Sequence, residues 1–156
     1  MFIDLLSGAV GSGLTGLLLV LVAIVVLILL TGIRFIPNNR IGIVEKRFAF
    51  QGSVKSGFIA LSNEAGYQPE VMRGGLHYLI PIQYRVHTAP LVTIPQGKIG
   101  YVFARDGIAL DPTQTLASNA VAQNFQDVRS FFQEGGQRGP QRRILREGTY
   151  AINLAN

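Results

Sequence analysis

The chain has 156 residues, 48% of them hydrophobic, a formal net charge of +5 and no cysteine. Its length suits one modest domain with an additional element. The absence of cysteine excludes disulfides, thiol nucleophiles and cysteine-based zinc sites, and it leaves the cellular compartment open.

The first predicted elements are a short tail, residues 1–13, and a transmembrane helix, residues 14–33. The apolar run LTGLLLVLVAIVVLILLTGI contains no charge, and a helix of that length extends over about 30 Å, the hydrocarbon thickness of a bilayer. A cleaved signal peptide fits poorly, because no basic residue precedes the run and no small-residue cleavage site follows it. The sequence therefore predicts an uncleaved anchor.

Basic residues follow this run and none precedes it. By the positive-inside rule, we expect a single-pass protein of the plasma (inner) membrane, with its N-terminus outside and its soluble domain in the cytoplasm. Four basic side chains are candidates for contact with anionic lipid headgroups at the membrane interface: Arg34, Arg40, Lys46 and Arg47.

Beyond the apolar run, short alternating segments interrupted by Gly and Pro predict β-strands. Strands are expected at 39–48, 57–61, within 76–94 and at 98–105, with a turn-rich segment at 62–75. Helices are expected at 124–136, where Phe125, Val128 and Phe132 share a stripe, and between Pro140 and Gly148. Strands followed by helices indicate an α+β domain.

A nine-residue phrase occurs twice in this domain. Residues 36–44 are IPNNRIGIV and residues 94–102 are IPQGKIGYV, with five identical positions. Each copy is typical of a turn that leads into a strand, since Pro ends the preceding element and Asn or Gly tolerates a tight turn. Convergent turn chemistry is one explanation. A duplicated half-motif that places two strands side by side is the other.

Four ordered segments resemble the SPFH (band 7) family, which includes stomatins, prohibitins and flotillins, and are closest to bacterial flotillin-like proteins. They are IPNNRIGIVEKRF, EAGYQPEVMRGGLHYLIPIQYRVH, VTIPQGKIGYVFARDG and NFQDVRSFFQEGGQRGPQRRILREGTYAIN. The resemblance implies a mixed sheet with packed helices over residues 34–156, the N-terminal portion of an SPFH domain. It also implies assembly into rings or cages. The coiled coil of flotillin-like proteins has no counterpart before Asn156, so we expect a fragment or a truncated relative.

Residues capable of catalysis do not form a known constellation. His77 and His87 lie outside metal-ligand spacing, no G-x-S-x-G motif occurs, and the carboxylates are scattered. We expect no enzyme, no cofactor and no metal. His77 is expected to make a structural hydrogen bond.

A basic run near the C-terminal end has three interpretations: a solvated face, a contact with a neighbouring subunit, or nucleic-acid binding. Aromatic residues are not interleaved with the charge as nucleic-acid binding requires, so we expect no nucleic-acid partner. The subunit-contact candidates are Arg138, Arg142, Arg143 and Arg146.

Two functions remain open. The first is a non-catalytic, membrane-anchored scaffold that oligomerises and organises membrane lipids and proteins, as the flotillin-like resemblance implies. The second is a regulatory binding module for a membrane protease or transporter, as in prohibitins. Expected partners are membrane lipids, further copies of the chain and a membrane protein.

Overall fold

The computed structural model describes residues 2–119 and 123–156, with the backbone alone for residues 2–14 and Gln123. Within these residues the chain forms a long helix α1, a small sheet-rich domain, a short helix α2 and a single 3-10 turn. The helices are α1 (Phe2–Leu30) and α2 (Val128–Gln133), and the turn is Gln123–Phe125. The strands are β1 (Ile33–Ile36), β2 (Arg40–Lys46), β3 (Gly66–Met72), β4 (Gly75–Tyr78), β5 (Tyr84–Pro90), β6 (Val92–Ile94), β7 (Phe103–Ala104), β8 (Gly139–Pro140) and β9 (Gly148–Tyr150).

The central sheet has the order β3-β2-β5, and both neighbours run antiparallel to β2. Strand β2 is the central strand, with β3 on one edge and β5 on the other. Its apolar residues Ile41, Ile43 and Val44 are buried. The β2–β3 register shifts between Ile43 and Glu45, opposite a bulge that contains Pro69. Proline cannot donate to a ladder, so a bulge is where a strand accommodates it.

Three two-stranded ladders, β1–β4, β6–β9 and β7–β8, complete the described sheet structure. A hydrogen bond joins the β1–β4 ladder to the turn that follows α1: the Leu79 amide donates to the Gly32 carbonyl at 3.0 Å. Gly32 is required there, because a Cβ would lie 2.8 Å from the Tyr78 ring and 2.5 Å from the Leu79 carbonyl oxygen.

Helix α2 joins two hydrophobic clusters. Val128 is buried in the cluster around Ile41 and Ile43, whereas Phe131 is buried in the cluster around Ile94 and Leu145. The Asp127 carboxylate caps the helix by accepting from the Ser130 amide at 2.9 Å, as expected of an N-cap aspartate. This short helix therefore holds the central sheet and the C-terminal half of the domain together.

The prediction of a transmembrane helix over residues 14–33 is wrong. In the part of the chain that the structure describes, no helix combines the length and the apolar character needed to cross a bilayer. Helix α1 ends at Leu30, and Ile33 already belongs to β1. Thr31, Gly32 and Ile33, the last three residues of the predicted span, therefore lie outside the helix. The predicted tail, residues 1–13, lies outside the described side chains.

The localisation derived from that helix is corrected with it. Assignment to the plasma (inner) membrane as a single-pass protein, with the N-terminus outside and the soluble domain in the cytoplasm, depended on a membrane-spanning segment, as did description of the chain as a membrane protein. That segment is not found among the described residues.

The predicted fold class, α+β with an SPFH-type mixed sheet and packed helices, is also wrong. The described domain is mostly sheet, its named strand pairs are all antiparallel, and α2 is the one helix packed on it. The helix expected between Pro140 and Gly148 is replaced by β8, an extended loop and β9. The turn-rich segment 62–75 contains β3, whereas the strand predicted at 39–48 is confirmed as β2.

The two copies of the repeated phrase do not lie side by side as paired strands. The first copy, residues 36–44, contributes the first five residues of β2, which pairs with β3 and β5. In the second copy, residues 94–102, Gly100 forms an isolated bridge with Leu145. Their local structures nevertheless agree, since the Arg40 amide donates to the Pro37 carbonyl at 3.0 Å and the Lys98 amide to the Pro95 carbonyl at 3.1 Å. The shared sequence therefore encodes the same turn in two different surroundings.

Candidate interaction surfaces

The first candidate surface is the described part of α1. Every residue from Thr15 to Thr31 is exposed, and the large apolar side chains between Leu17 and Leu30 are between 41% and 71% exposed. Contiguous exposed apolar surface of this kind marks a site of interaction. The helix thus presents apolar side chains that the described part of the chain leaves exposed.

A second exposed apolar surface lies on one side of the β1–β4 ladder, which follows α1 in the chain. Ile33 pairs with Tyr78, and Phe35 pairs with Leu76. Phe35 is 71% exposed and Leu76 72%. Side chains alternate along a strand, so these four lie on one side, which we call the β1–β4 apolar face. The other side of β4 carries His77, whose Nε2 lies 2.7 Å from the Arg73 carbonyl oxygen, confirming the expected structural hydrogen bond.

The four predicted membrane-interface residues do not form one cluster of exposed cations. Lys46 is buried, and its Nζ donates to the Asn63 carbonyl at 2.9 Å and to the Asn63 side-chain oxygen at 2.6 Å. Arg34 and Arg40 are exposed on β1 and β2. The Arg47 guanidinium lies 5.6 Å from the centroid of the Phe48 ring. The Lys46 ammonium therefore stabilises the loop at Asn63 and is not exposed to solvent.

Three of the four subunit-contact candidates share a groove of about 450 Å³ near the C-terminal end. Its lining, which we call the basic groove, is Asn124, Arg142, Arg143, Ile144, Arg146 and Tyr150. The fourth candidate, Arg138, is exposed and borders a different cavity beside Gly139. The structure thus groups Arg142, Arg143 and Arg146 without the helix that the sequence predicted.

A third surface feature is an apolar cavity of about 300 Å³ between β7, α2 and the last residues of the chain. Its walls include Ile94, Phe131 and Leu145, and Leu154 and Asp127 also line it. Concave apolar sites with a few polar groups are where proteins accept apolar ligands or side chains.

Two charge pairs stand apart from these surfaces. His87 Nε2 lies 2.7 Å from the Glu45 carboxylate across the central sheet, with both side chains about one-third exposed. The Arg129 guanidinium pairs with Glu70, and this hydrogen bond raises the pKa of Arg129 above its ordinary value. Hydrogen bonds from the Ser130 amide and hydroxyl lower the pKa of Asp127 below its ordinary value.

No protein-family model, curated protein or solved structure matches the chain. The SPFH resemblance therefore stays a prediction. Across residues 15–119 and 123–156, no group of three potential metal ligands occurs together.

Sequence reasoning missed the apolar cavity, the full lining of the basic groove and the β1–β4 apolar face. It did not connect Asn124 and Tyr150 with the arginines, because that proximity arises from long-range packing. It also missed the β1–β4 apolar face, for which a signal exists: apolar residues alternate in IRFI and again in GLHY. Neither segment is long enough for alternation alone to show that the apolar side is uncovered.

Proposed function

We propose that the chain is a non-catalytic scaffold module that self-associates, with further copies of itself covering the apolar surface of α1 and the β1–β4 apolar face. The single observation that carries the proposal is the exposure of these uncharged apolar side chains. The SPFH resemblance, which implies homo-oligomers, agrees with it.

Self-association suits the chemistry of this surface. The β1–β4 apolar face consists of aliphatic and aromatic side chains without a charge, so two copies can meet without burying unpaired ions. Isologous contacts between identical patches are the commonest route to oligomers. Lipids, the other proposed partner, would contact the same surface, and the scaffold would then organise lipids and proteins together.

The test is the mass of the full chain in mild detergent, measured by light scattering after size exclusion. We expect multiples of the 17.0 kDa monomer. The double substitution Phe35→Ser, Leu76→Ser should shift the distribution toward monomer with little loss of stability, because both side chains are exposed within the chain. Phe50→Ser is the matched control, since Phe50 is fully exposed and lies elsewhere.

A wild-type chain that is monomeric over the accessible concentration range would overturn the proposal, as would equal shifts from the double substitution and from the control. Sedimentation with phosphatidylcholine vesicles provides the lipid arm. Loss of sedimentation in the Phe35, Leu76 double variant, with Phe50→Ser unchanged, would assign lipids to the same face.

The second candidate function is the regulatory binding module for a membrane protease or transporter, and the apolar cavity is the observation that favours it. A partner would insert an apolar side chain beside Leu154, which is 47% exposed and lines the cavity. Cross-linking followed by capture should then give one dominant partner at a fixed ratio. Leu154→Arg should abolish that capture and leave self-association unchanged. Capture that survives Leu154→Arg would exclude this use of the cavity.

A further inference from the structure

The basic groove is formed by a segment whose backbone is fixed at both ends. At one end, the backbone amide of the buried Gln141 donates to the Val102 carbonyl at 2.9 Å. Leu145 is 2% exposed and exchanges two backbone hydrogen bonds with Gly100, both 2.9 Å long. The backbone that carries Arg142, Arg143 and Arg146 is therefore fixed near these two anchors before any ligand arrives, which reduces the backbone entropy lost on binding.

Side-chain hydrogen bonds fix two further parts of the groove, at Tyr150 and at Arg143. The Tyr150 hydroxyl donates to the Arg146 carbonyl at 3.0 Å. Gly148, with φ of +144°, leaves space for the Tyr150 ring, since a Cβ would lie 3.3 Å from the tyrosine oxygen. On the opposite side, Arg143 Nη2 lies 3.3 Å from the Asn124 side-chain oxygen. One arginine and the tyrosine thus have defined positions at the groove.

The charge of the groove is uncompensated. None of its lining residues is a carboxylate, and Arg142 and Arg146 have no acidic side chain as an ion-pair partner among the described residues. Glu147 follows in sequence but does not line the groove. Three like charges brought together repel one another, and a bound anion relieves that repulsion.

The arrangement selects one class of anion. Guanidinium groups present donors in a planar fork that matches phosphate oxygens, and several arginines converging on one site are typical of phosphate recognition. A groove of about 450 Å³ exceeds a lone phosphate ion, and Ile144 and Tyr150 provide an apolar wall for the group attached to it. We propose that the basic groove binds a phosphate monoester through Arg142, Arg143 and Arg146.

The proposal is tested by calorimetric titration of the full chain in mild detergent with inorganic phosphate and with glycerol 3-phosphate. Arg143→Gln and Arg146→Gln should each weaken binding about tenfold or more, since each removes charge-assisted hydrogen bonds. Arg138→Gln is the matched control, because it removes the same charge outside the groove. Added salt should weaken binding, since the site is open to solvent.

Sedimentation with phosphatidylcholine vesicles, with and without phosphatidic acid, distinguishes a lipid headgroup from a soluble ester. Arg143-dependent binding in either arm supports the proposal, and the arm that binds more tightly identifies the source. Absence of phosphate binding in both arms overturns it, as does an equal loss in Arg138→Gln. If Arg143→Gln reduces only oligomer mass and phosphate does not bind, the arginines contact a neighbouring subunit and the proposal is wrong. None of these outcomes depends on the Phe35, Leu76 result.

Discussion

The glycine in each copy of the repeated phrase gives the sharpest test of the packing described above. In copy one, a Cβ on Gly42 would lie 2.5 Å from Ile36 Cδ1 and 2.9 Å from Val86 Cγ1. In copy two, a Cβ on Gly100 would lie 2.6 Å from Ile94 Cδ1, with its next contact at 3.4 Å. In both copies, the first isoleucine of the phrase folds over the glycine six positions later.

The substitutions Gly42→Ala and Gly100→Ala should therefore differ in cost. Overpacking typically costs about 1–3 kcal/mol. We expect Gly100→Ala near the lower end, because one methyl group must move, and Gly42→Ala near the upper end, because two neighbours obstruct it. Neither glycine has a positive φ, so alanine meets no backbone strain and the difference comes from packing alone.

Shortening the isoleucine isolates this contact. Ile94→Val removes Cδ1 at a cost of about 0.5–1.5 kcal/mol by itself. The double variant with Gly100→Ala should lose about 1 kcal/mol less than the sum of the single variants, whereas Ile36→Val should recover a smaller share with Gly42→Ala, because Val86 still obstructs. The measurement is urea unfolding followed by circular dichroism. Additive losses in the Gly100 and Ile94 pair, within about 0.5 kcal/mol, would refute the reasoning.

Two further predictions concern carboxylates that hold backbone in place. Asp127→Asn should change the stability of the cap of α2 by less than about 1 kcal/mol, because Asn and Asp are comparable N-cap residues, but it removes the titrating carboxylate. Because the folded-state pKa of Asp127 is lowered by Ser130, the carboxylate's contribution is present above pH ~4 and lost as the pH falls below it, so urea unfolding of the Asn variant should depend less on pH in that range. Asp106 accepts from the Phe58 amide at 2.7 Å and lies against Gly57, whose φ is +79°. Asp106→Ala should cost about 1–3 kcal/mol, and hydrogen exchange at Phe58 should accelerate; unchanged exchange there would contradict the role of Asp106.

Local sequence patterns are sufficient to predict the position of some strands without knowledge of the strands that pair with them. Strand β2 was predicted at 39–48 because alternation, the preceding turn and β-branched residues agree, and it occupies Arg40–Lys46. The helix predicted between Pro140 and Gly148 failed because its apolar residues are too few to bury a helical face. Its backbone groups instead bond to Val102 and Gly100, about forty residues away.

In the candidate sites too, the sequence shows what neighbouring residues share but not what long-range packing brings together. Arg142, Arg143 and Arg146 are close in sequence, so their shared charge could be recognised without a structure. Their groove requires Asn124 and Tyr150, which packing of β9 against β6 and of the 3-10 turn brings to it. Lys46 illustrates the converse error: its charge predicted exposure, but a hydrogen-bonding loop buries it beside Asn63.

The repeated phrase explains why sequence alone could not assign the apolar surfaces. In copy one, Ile41 and Ile43 are buried, since β3 and β5 flank β2 and further residues pack on the sheet. The equivalent residues of copy two, Ile99 and Tyr101, are 54% and 83% exposed, because that segment meets Leu145 on one side. Nearly the same residues, in the same turn, are core in one place and surface in the other. The number of neighbouring strands decides between them, and this number depends on pairings across the whole domain.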